Sequence, residues 1–515
     1  MNVGVWRTRA GEPLAAAALG ALQTLAFVHT ALWPLPLATL AWLVWRLDAA
    51  TPRRAALLGW CYGTAWLGAG VWWLFISMHR YGGLPAPLAA AAVLALSAAL
   101  ALYLAAAAAA YARWRRGGTG DAALFAAWWL LAELARGVIF TGFPWLASGY
   151  SQVDSPLAAL APWLGVYGVG AWMAAAAAGA VTLLRSRGRL WAGAGVPLAL
   201  ATAAWLAPAS FTRSTGDLSV ALLQTNVAQD EKFAAERMPE TLAWLGREML
   251  AARADLVVAP ETAVPLLPDH LDALAPGYWD AMRAHFAAPN AKPRAALVGL
   301  PLGDFDRGYT NSVAGLSAGP RYVYSKSHLV PFGEFIPAGF RWFTELMNIP
   351  LGDFARGVDT PPSFAVGGQR VAPNICYEDL FGEELARRFS DVDAAPTLFA
   401  NLSNIGWFGD TIAIAQHLNI SRLRAIEFQR PMLRATNTGA TAVIDHRGVV
   451  TAQLTPHTRG VLTGQVQGRT GNTPYAAWAS RAGLWPLACA ALLVIVVLAC
   501  RRRATSAPAD PAAPR

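Results

Sequence analysis

Four cysteines occur in the 515 residues, and Cys61, Cys489 and Cys500 all lie in or at the end of long apolar runs. Cys376 stands apart, in the run Asn374-Ile375-Cys376-Tyr377-Glu378-Asp379. With no second Cys or clustered His near it in sequence, it is a poor candidate for a local disulfide or a metal site, and no metal is expected. It falls where a strand-like run gives way to a helix-like one. At such a junction free N–H groups and the helix dipole are expected to favour a thiolate and a developing oxyanion. The alternative is an inert Cys closing a core strand. A free thiol ionises near ~8.5, so little of it is thiolate at neutral pH and a base is useful.

Glu261 is the candidate base. The run Leu256-Val257-Val258-Ala259-Pro260-Glu261-Thr262 reads as an apolar strand stopped by proline and followed by a carboxylate. In isolation such a Glu is an ordinary solvated loop residue. Lys326 is the third candidate. Only three of the 41 basic residues are lysines, Lys232, Lys292 and Lys326, so a lysine here marks a need for a compact point charge that Arg does not imitate. Beside a thiol, an ammonium stabilises both thiolate and oxyanion, and loss of one good oxyanion donor costs ~2.7 to 4 kcal/mol. The plain alternative is a surface lysine. His328 is read as a positioning or core residue, because the thiol already has a base candidate.

These residues must be carried by elements, and composition sorts the elements into two kinds. Charged residues make up 14% of the chain, against about 25% in soluble domains, and the mean hydropathy is +0.35. A wholly soluble protein, a disordered chain and a disulfide scaffold are thereby disfavoured. The formal charge of +9 does not imply nucleic acid, since the arginines flank apolar stretches. Residues 13–29, 31–46, 55–77, 86–112, 121–138, 160–184, 190–208 and 482–500 approach or exceed the ~20 residues of a bilayer crossing, which predicts about eight transmembrane helices. Alternate connections are basic: Arg7 and Arg9; Arg46, Arg53 and Arg54; Arg113, Arg115 and Arg116; Arg185, Arg187 and Arg189; and Arg501 to Arg503 with Arg515. Short arginine-rich loops stay cytoplasmic, so both termini are expected inside and the long stretch between the last two spans outside, which in a bacterium is periplasmic. The expected organisation is a membrane bundle over 1–209, an extracytoplasmic domain over 210–481, a C-terminal span over 482–500 and a disordered cytoplasmic tail over 501–515.

In the outside stretch, short strand-like runs alternate with longer helical ones. Strands are predicted over 218–227, 256–260, 295–302, 312–316, 371–376, 397–402, 432–436 and 442–445, and helices over 231–251, 277–287, 380–389 and 412–428. Near-continuous apolar strands predict sheets covered on both faces, in an α/β layered domain.

Glu261, Lys326 and Cys376, in that order and each at a strand end, resemble the Glu-Lys-Cys triad of the nitrilase superfamily of carbon–nitrogen hydrolases. More narrowly, the chain resembles the apolipoprotein N-acyltransferase family, in which such an αββα sandwich is inserted into a polytopic membrane protein. The resemblance rests on the run Lys326 to Glu334, on Cys376-Tyr377-Glu378, Trp407-Phe408-Gly409, Arg434-Ala435-Thr436-Asn437 and Asp445-His446-Arg447-Gly448. In the membrane half it rests on Gly142-Phe143-Pro144-Trp145-Leu146 and Gly149-Tyr150-Ser151-Gln152. Two departures stand out: Phe233 where the family has Trp, and Ser403-Asn404-Ile405-Gly406 where an acidic Asn-Asp-Ala run is usual. They bear on substrate positioning rather than on the triad.

The resemblance implies that Cys376 is the nucleophile, Glu261 the general base and Lys326 the oxyanion stabiliser. It implies that Glu334 and Glu378 orient Lys326 and assist proton transfer, and that Tyr377 lines the site. The implied reaction takes an acyl chain from a glycerophospholipid donor through a Cys thioester to the N-terminal amine of a diacylglyceryl apolipoprotein, by a multi-pass inner-membrane protein acting as a monomer without a cofactor. A greasy insertion follows Glu334, with Phe335, Ile336, Phe340, Trp342, Phe343, Leu346, Met347, Ile349, Leu351 and Phe354. With Phe233, Trp407 and Phe408 it is expected to form a lid or acyl-chain surface next to the bilayer. Two rival readings remain: a membrane-tethered amidase or nitrilase that uses water as acceptor, and a non-catalytic transporter or scaffold. The spans are poor in ionisable residues, Glu133 and Arg136 being the main exceptions, which weighs against transport.

Overall fold

The computed structural model of the chain describes residues 11–118, 120–185, 210–288, 294–337, 339, 354–358 and 360–505. Ala- and Leu-rich runs in the first part form the helices Gly11–Gln23, Pro34–Leu47, Pro52–Val71, Ala86–Trp114, Asp121–Val138 and Ala161–Arg185. Proline opens two of them, at the position where a missing N–H costs nothing. The helices Pro52–Val71 and Ala86–Trp114 approach closely at Gly59, where a Cβ would lie 2.8 Å from Ala108 Cβ and 3.0 Å from Leu104 O.

Among the described residues, Gly11–Val28, Ala86–Trp114, Asp121–Thr141 and Pro156–Arg185 are long and apolar enough to cross a bilayer. Pro474–Ala482 and Trp485–Ala499, bent by 92°, make a fifth if they are one span. Several of the expected spans are therefore present as apolar helices. Pro34–Leu47 has only 14 residues, short of the ~20 a straight crossing takes. The expected span 190–208 and residues 506–515 of the expected tail lie outside the described residues. The last helix runs Trp485–Thr505, so the expected tail begins as helix.

The remainder folds into two six-stranded sheets. The first contains β1 (Arg213–Gln224), β2 (Leu256–Val258), β3 (Ala295–Asp304), β4 (Gly308–Leu316), β5 (Tyr322–Ser325) and β12 (Gly460–Thr470), in the order β12-β1-β2-β3-β4-β5. The second contains β6 (Phe364–Val366), β7 (Gln369–Ile375), β8 (Leu398–Ser403), β9 (Met432–Thr436), β10 (Ala442–Ile444) and β11 (Val450–Gln453), in the order β11-β10-β9-β8-β7-β6. The period-2 alternation of side chains sets the layers. Val220 and Leu222 of β1 point between the sheets with Val371, Ile375 and Leu402. Ala221 and Leu223 point outward, against the helices Met238–Ala251 and Tyr278–Ala287. On the far side, Phe399 and Met432 pack on Phe428 and Tyr475 of the helices Ala413–Phe428 and Pro474–Ala482. The result is the expected αββα sandwich.

The four strands missing from the sequence expectation, β5, β6, β11 and β12, are the four sheet edges. Edge strands are short or half exposed and so carry no continuous apolar signal. The helix expected from Glu231 begins only at Met238.

The helix Ala413–Phe428 also seats the sandwich on the apolar bundle. Trp73 Nε1 and Trp145 Nε1 donate to Gln416 Oε1 at 3.1 and 2.9 Å, and Gln416 Nε2 donates to Gly70 O at 3.0 Å. Further along, Asn419 Nδ2 donates to Phe27 O at 3.1 Å and Arg424 Nη2 to Tyr150 Oη at 2.7 Å.

Candidate active site

β2 is fully buried between two parallel neighbours, β1 and β3. Pro260, with no N–H to offer, ends its ladder. The chain turns at Thr262, φ 51°, and leaves the Glu261 carboxylate at the carboxyl end of the strand, 7% exposed. The approach of β3 is tight here: a Cβ on Gly299 would lie 2.3 Å from Pro260 O and 2.7 Å from Glu261 Cα.

Cys376 follows β7 with φ 51°. A non-glycine residue in the left-handed region costs on the order of 1–3 kcal/mol and persists only where its surroundings over-determine it. Glu378 supplies part of that constraint: Oε2 accepts from Ile375 N at 2.7 Å and from the Tyr324 hydroxyl. Its other oxygen accepts from Ser327 N at 2.7 Å and His328 N at 3.1 Å. Both oxygens are thus taken up in tying the Cys376 turn to the chain after Lys326, a positioning arrangement rather than that of a free proton carrier.

One expectation is corrected here. No α-helix starts at Cys376; the strand gives way to a 3₁₀ helix of only five residues, Cys376–Leu380. The dipole of such a turn is small, and burial, followed by the adjacent Glu261 carboxylate, pushes the thiol well above the usual thiol range despite the opposing Lys326 charge. The resting sulfur is a neutral thiol, not a thiolate.

Lys326, 1% exposed, follows β5, and its N–H donates to Asn311 O at 2.8 Å. Its Nζ lies 2.9 and 2.8 Å from the two Glu334 oxygens and 3.7 Å from Glu261 Oε1. Burial alone lowers the ammonium's pKa; Glu334 and then Glu261 more than offset it and hold the charge on. Glu334 Oε2 also accepts from Val330 N at 2.8 Å, within the tight turn around Phe332.

The structure adds residues that the sequence did not single out. Asn311 Nδ2, on β4, donates to Glu261 Oε1 at 2.7 Å and to Glu334 Oε1 at 2.8 Å, bridging the two carboxylates. Asn404 N donates to Glu261 Oε2 at 2.7 Å, so the departing Ser403-Asn404-Ile405-Gly406 run still supplies a contact to the carboxylate. Asn437 Nδ2 in turn holds Asn404 Oδ1 at 2.9 Å. Lys232 Nζ donates to Glu261 O at 3.1 Å, and burial draws its pKa down to about 8 against the opposing pull of Glu261 and Cys376. A usable sequence signal existed only for Lys232: the scarcity of lysine applies to it as much as to Lys326.

The structure thus brings Glu261, Lys326 and Glu334 into one buried cluster whose charges act on the half-buried Cys376, with Glu378 and Tyr377 on its turn. Tyr377 Oη donates to Gly142 O at 3.2 Å, so the site abuts the apolar half. His328 lies to one side, stacked on Phe381 and bonded to Glu384. Of the expected lid residues, Phe233, Trp407 and Phe408 are among the described residues. Phe233 is exposed, Trp407 packs on Tyr81, and Phe408 packs on Trp73. Trp342 and Phe343 lie outside the described residues, although Phe354 N bonds Glu334 O at 2.9 Å, so the insertion returns beside the residue it leaves. The Asp445-His446-Arg447-Gly448 run is a turn, with Asp445 Oδ1 accepting from Arg447 N and Val449 N at 2.8 and 2.9 Å.

Comparison with known proteins agrees with this architecture. A family model described as Apolipoprotein N-acyltransferase N-terminal domain matches residues 19–179, and one described as Carbon-nitrogen hydrolase matches residues 219–475. The apolipoprotein N-acyltransferase of Verminephrobacter eiseniae (strain EF01-2) is 54% identical over 487 residues, covering 88% of this chain and 89% of that protein. That of Ralstonia nicotianae (strain ATCC BAA-1114 / GMI1000) is 45% identical over 516 residues, covering 98% of this chain and 96% of that protein. With both halves matched in order along nearly the whole chain, the protein belongs to the apolipoprotein N-acyltransferase family.

Proposed function

We propose that this protein is a membrane acyltransferase of lipoprotein maturation, moving an acyl chain from a glycerophospholipid through a Cys376 thioester to the N-terminal amine of a diacylglyceryl apolipoprotein. The observation that carries the reading is the buried cluster in which Lys326 lies between Glu261 and Glu334 beside the neutral thiol of Cys376. In the first half-reaction Sγ attacks the ester carbonyl as Glu261 takes the thiol proton, and Lys326 stabilises the oxyanion. Collapse breaks the ester C–O bond, and the proton held by Glu261 passes to the departing lysophospholipid alkoxide. In the second, the amine attacks the thioester and gives a proton to Glu261. The thiolate leaves and is reprotonated, and the amide is released. Water is the competing acceptor, and a greasy surround disfavours it.

The proposed setting is a bacterial inner membrane crossed about eight times, with residues 210–481 periplasmic and both termini cytoplasmic. Glu334 and Glu378 act as positioning carboxylates in this scheme. The test mixes purified full-length protein with phospholipid labelled in its acyl chain. Label on Cys376 through a hydroxylamine-sensitive bond, lost in Cys376→Ala, supports the reading. An unlabelled Cys376 together with turnover of small amides would replace it with a membrane-tethered amidase.

A further inference from the structure

A second buried polar cluster lies behind the nucleophile, and the acyl-transfer scheme makes no use of it. The Cys376 carbonyl, on the peptide that follows the left-handed residue, accepts from two side chains: Asn401 Nδ2 at 3.1 Å and His417 Nε2 at 3.3 Å. Asn401 is itself anchored, its Nδ2 also donating to Asn374 Oδ1 at 2.7 Å. His417, 1% exposed, has its tautomer dictated by its neighbours. Arg434 Nη2 sits 3.1 Å from Nδ1, and a guanidinium only donates, so Nδ1 is an acceptor and the proton is on Nε2. That Nε2–H is shared between the Cys376 carbonyl and Asp379 Oδ1, 3.1 Å away. Asp379 also accepts from Ser421 Oγ and, at 3.3 Å, from Arg434 Nη1, which donates to Ser421 Oγ as well. The residue before His417 is Gln416, whose amide is bound by Trp73, Trp145 and Gly70 of the apolar half.

We propose that His417 is a positioning residue for the nucleophile: with Asn401 it clamps the Cys376 carbonyl and fixes the turn that presents Sγ, and through Gln416 the clamp is anchored to the apolar bundle. The ring is not a base for the thiol in this arrangement, because its one N–H is committed to the carbonyl and to Asp379, and its other nitrogen to Arg434. The inference rests on the thioester reading above for its kinetic consequence, but not for its geometry. A clamp of this kind acts on the rate of the chemical step and leaves donor binding alone, since misplacing a reacting atom by about 1 Å costs on the order of 10²-fold.

The experiment compares full-length wild type, Cys376→Ala, His417→Ala and His417→Gln, reconstituted with acyl-labelled phospholipid. The amplitude of thioester formation counts competent sites, and the rate constant at saturating phospholipid reads the step itself. His417→Ala is expected to lose roughly 10- to 100-fold in that rate constant with its half-saturating phospholipid concentration unchanged. His417→Gln, which places an amide N–H near the Nε2 position, is expected to recover most of it. A wild-type rate per competent site in His417→Ala, or a Gln variant no better than Ala, overturns the inference. Alkylation of Cys376 by iodoacetamide, followed by mass spectrometry, needs no lipid. It is expected to change by about threefold or more in His417→Ala and to return in His417→Gln. Equal alkylation in all three forms that carry the thiol also overturns the clamp. Absence of any thioester in wild type, with the alkylation difference intact, would instead refute the acyl-transfer reading alone.

Discussion

Replacing Glu261 by Gln removes more than a charge. Both carboxylate oxygens already accept a hydrogen bond at 2.7 Å, one from Asn311 Nδ2 and the other from Asn404 N. Gln has one acceptor and one donor, so in either orientation an N–H must face an N–H. Losing one hydrogen bond to a charged acceptor costs about 1.5–3 kcal/mol, and a buried donor left without a partner keeps that cost from being recovered. Loss of the general base removes a factor of roughly 10²–10⁴ in rate. An opposing effect exists, because the Glu261 charge itself helps to raise the thiol's pKa. Burial is the larger cause, however, so neutralising Glu261 does not free a thiolate. Glu261→Gln is therefore expected to slow Cys376 thioester formation from labelled phospholipid by about 10²–10⁴ at pH 7, with a lower melting temperature in detergent. Thioester formation within about threefold of wild type in the Gln variant would refute the reasoning, since no other group near the thiol is assigned its proton.

Three further outcomes are expected. Gly299→Ala leaves every polar side chain of the site in place, yet its Cβ would lie 2.3 Å from Pro260 O and 2.7 Å from Glu261 Cα, so it displaces Glu261; thioester formation should fall by at least about tenfold while the protein still folds, and an unaffected rate would contradict the close approach. Alkylation of Cys376 by iodoacetamide should stay slow from pH 7 to pH 9, because the thiol is held above the usual range; a rise with a midpoint near the ~8.5 of a free thiol would contradict this. Lys232 is drawn down from 10.5 to about 8, so the folded protein holds its proton less tightly than the unfolded chain, and its penalty is full below pH 8 and relieved as pH rises toward 10.5. Relative to Lys232→Met, wild type should therefore gain most of roughly 3 kcal/mol between pH 7 and pH 10, read as a change in the difference of melting temperatures; a constant difference would sink it.

Much of this was legible in the residues alone. A lone Cys outside the apolar runs, a carboxylate after a Pro-stopped strand and one of only three lysines marked Cys376, Glu261 and Lys326 as candidates, and their order and strand-end placement carried the resemblance to the Glu-Lys-Cys triad. Each signal is local: strand ends are written in apolar runs and their breakers, and rarity is written in composition. The central strands were legible for the same reason, since strands buried on both faces are near-continuous apolar runs. The edge strands β5, β6, β11 and β12 were not, because an edge half in water needs no such pattern.

What only the tertiary structure decided is which polar residues share a neighbour. Asn311 and Asn404 look like any strand or loop asparagine until folding brings their N–H groups to opposite oxygens of Glu261. His417 lies 41 residues from Cys376 along the chain, and nothing in its own helix marks it as that residue's partner. The state of the thiol was likewise decided by the fold: sequence placed Cys376 at a junction that favours a thiolate, while burial and an adjacent carboxylate make it a neutral thiol. Desolvation and charge coupling depend on distances through space, and a sequence lists only distances along the chain.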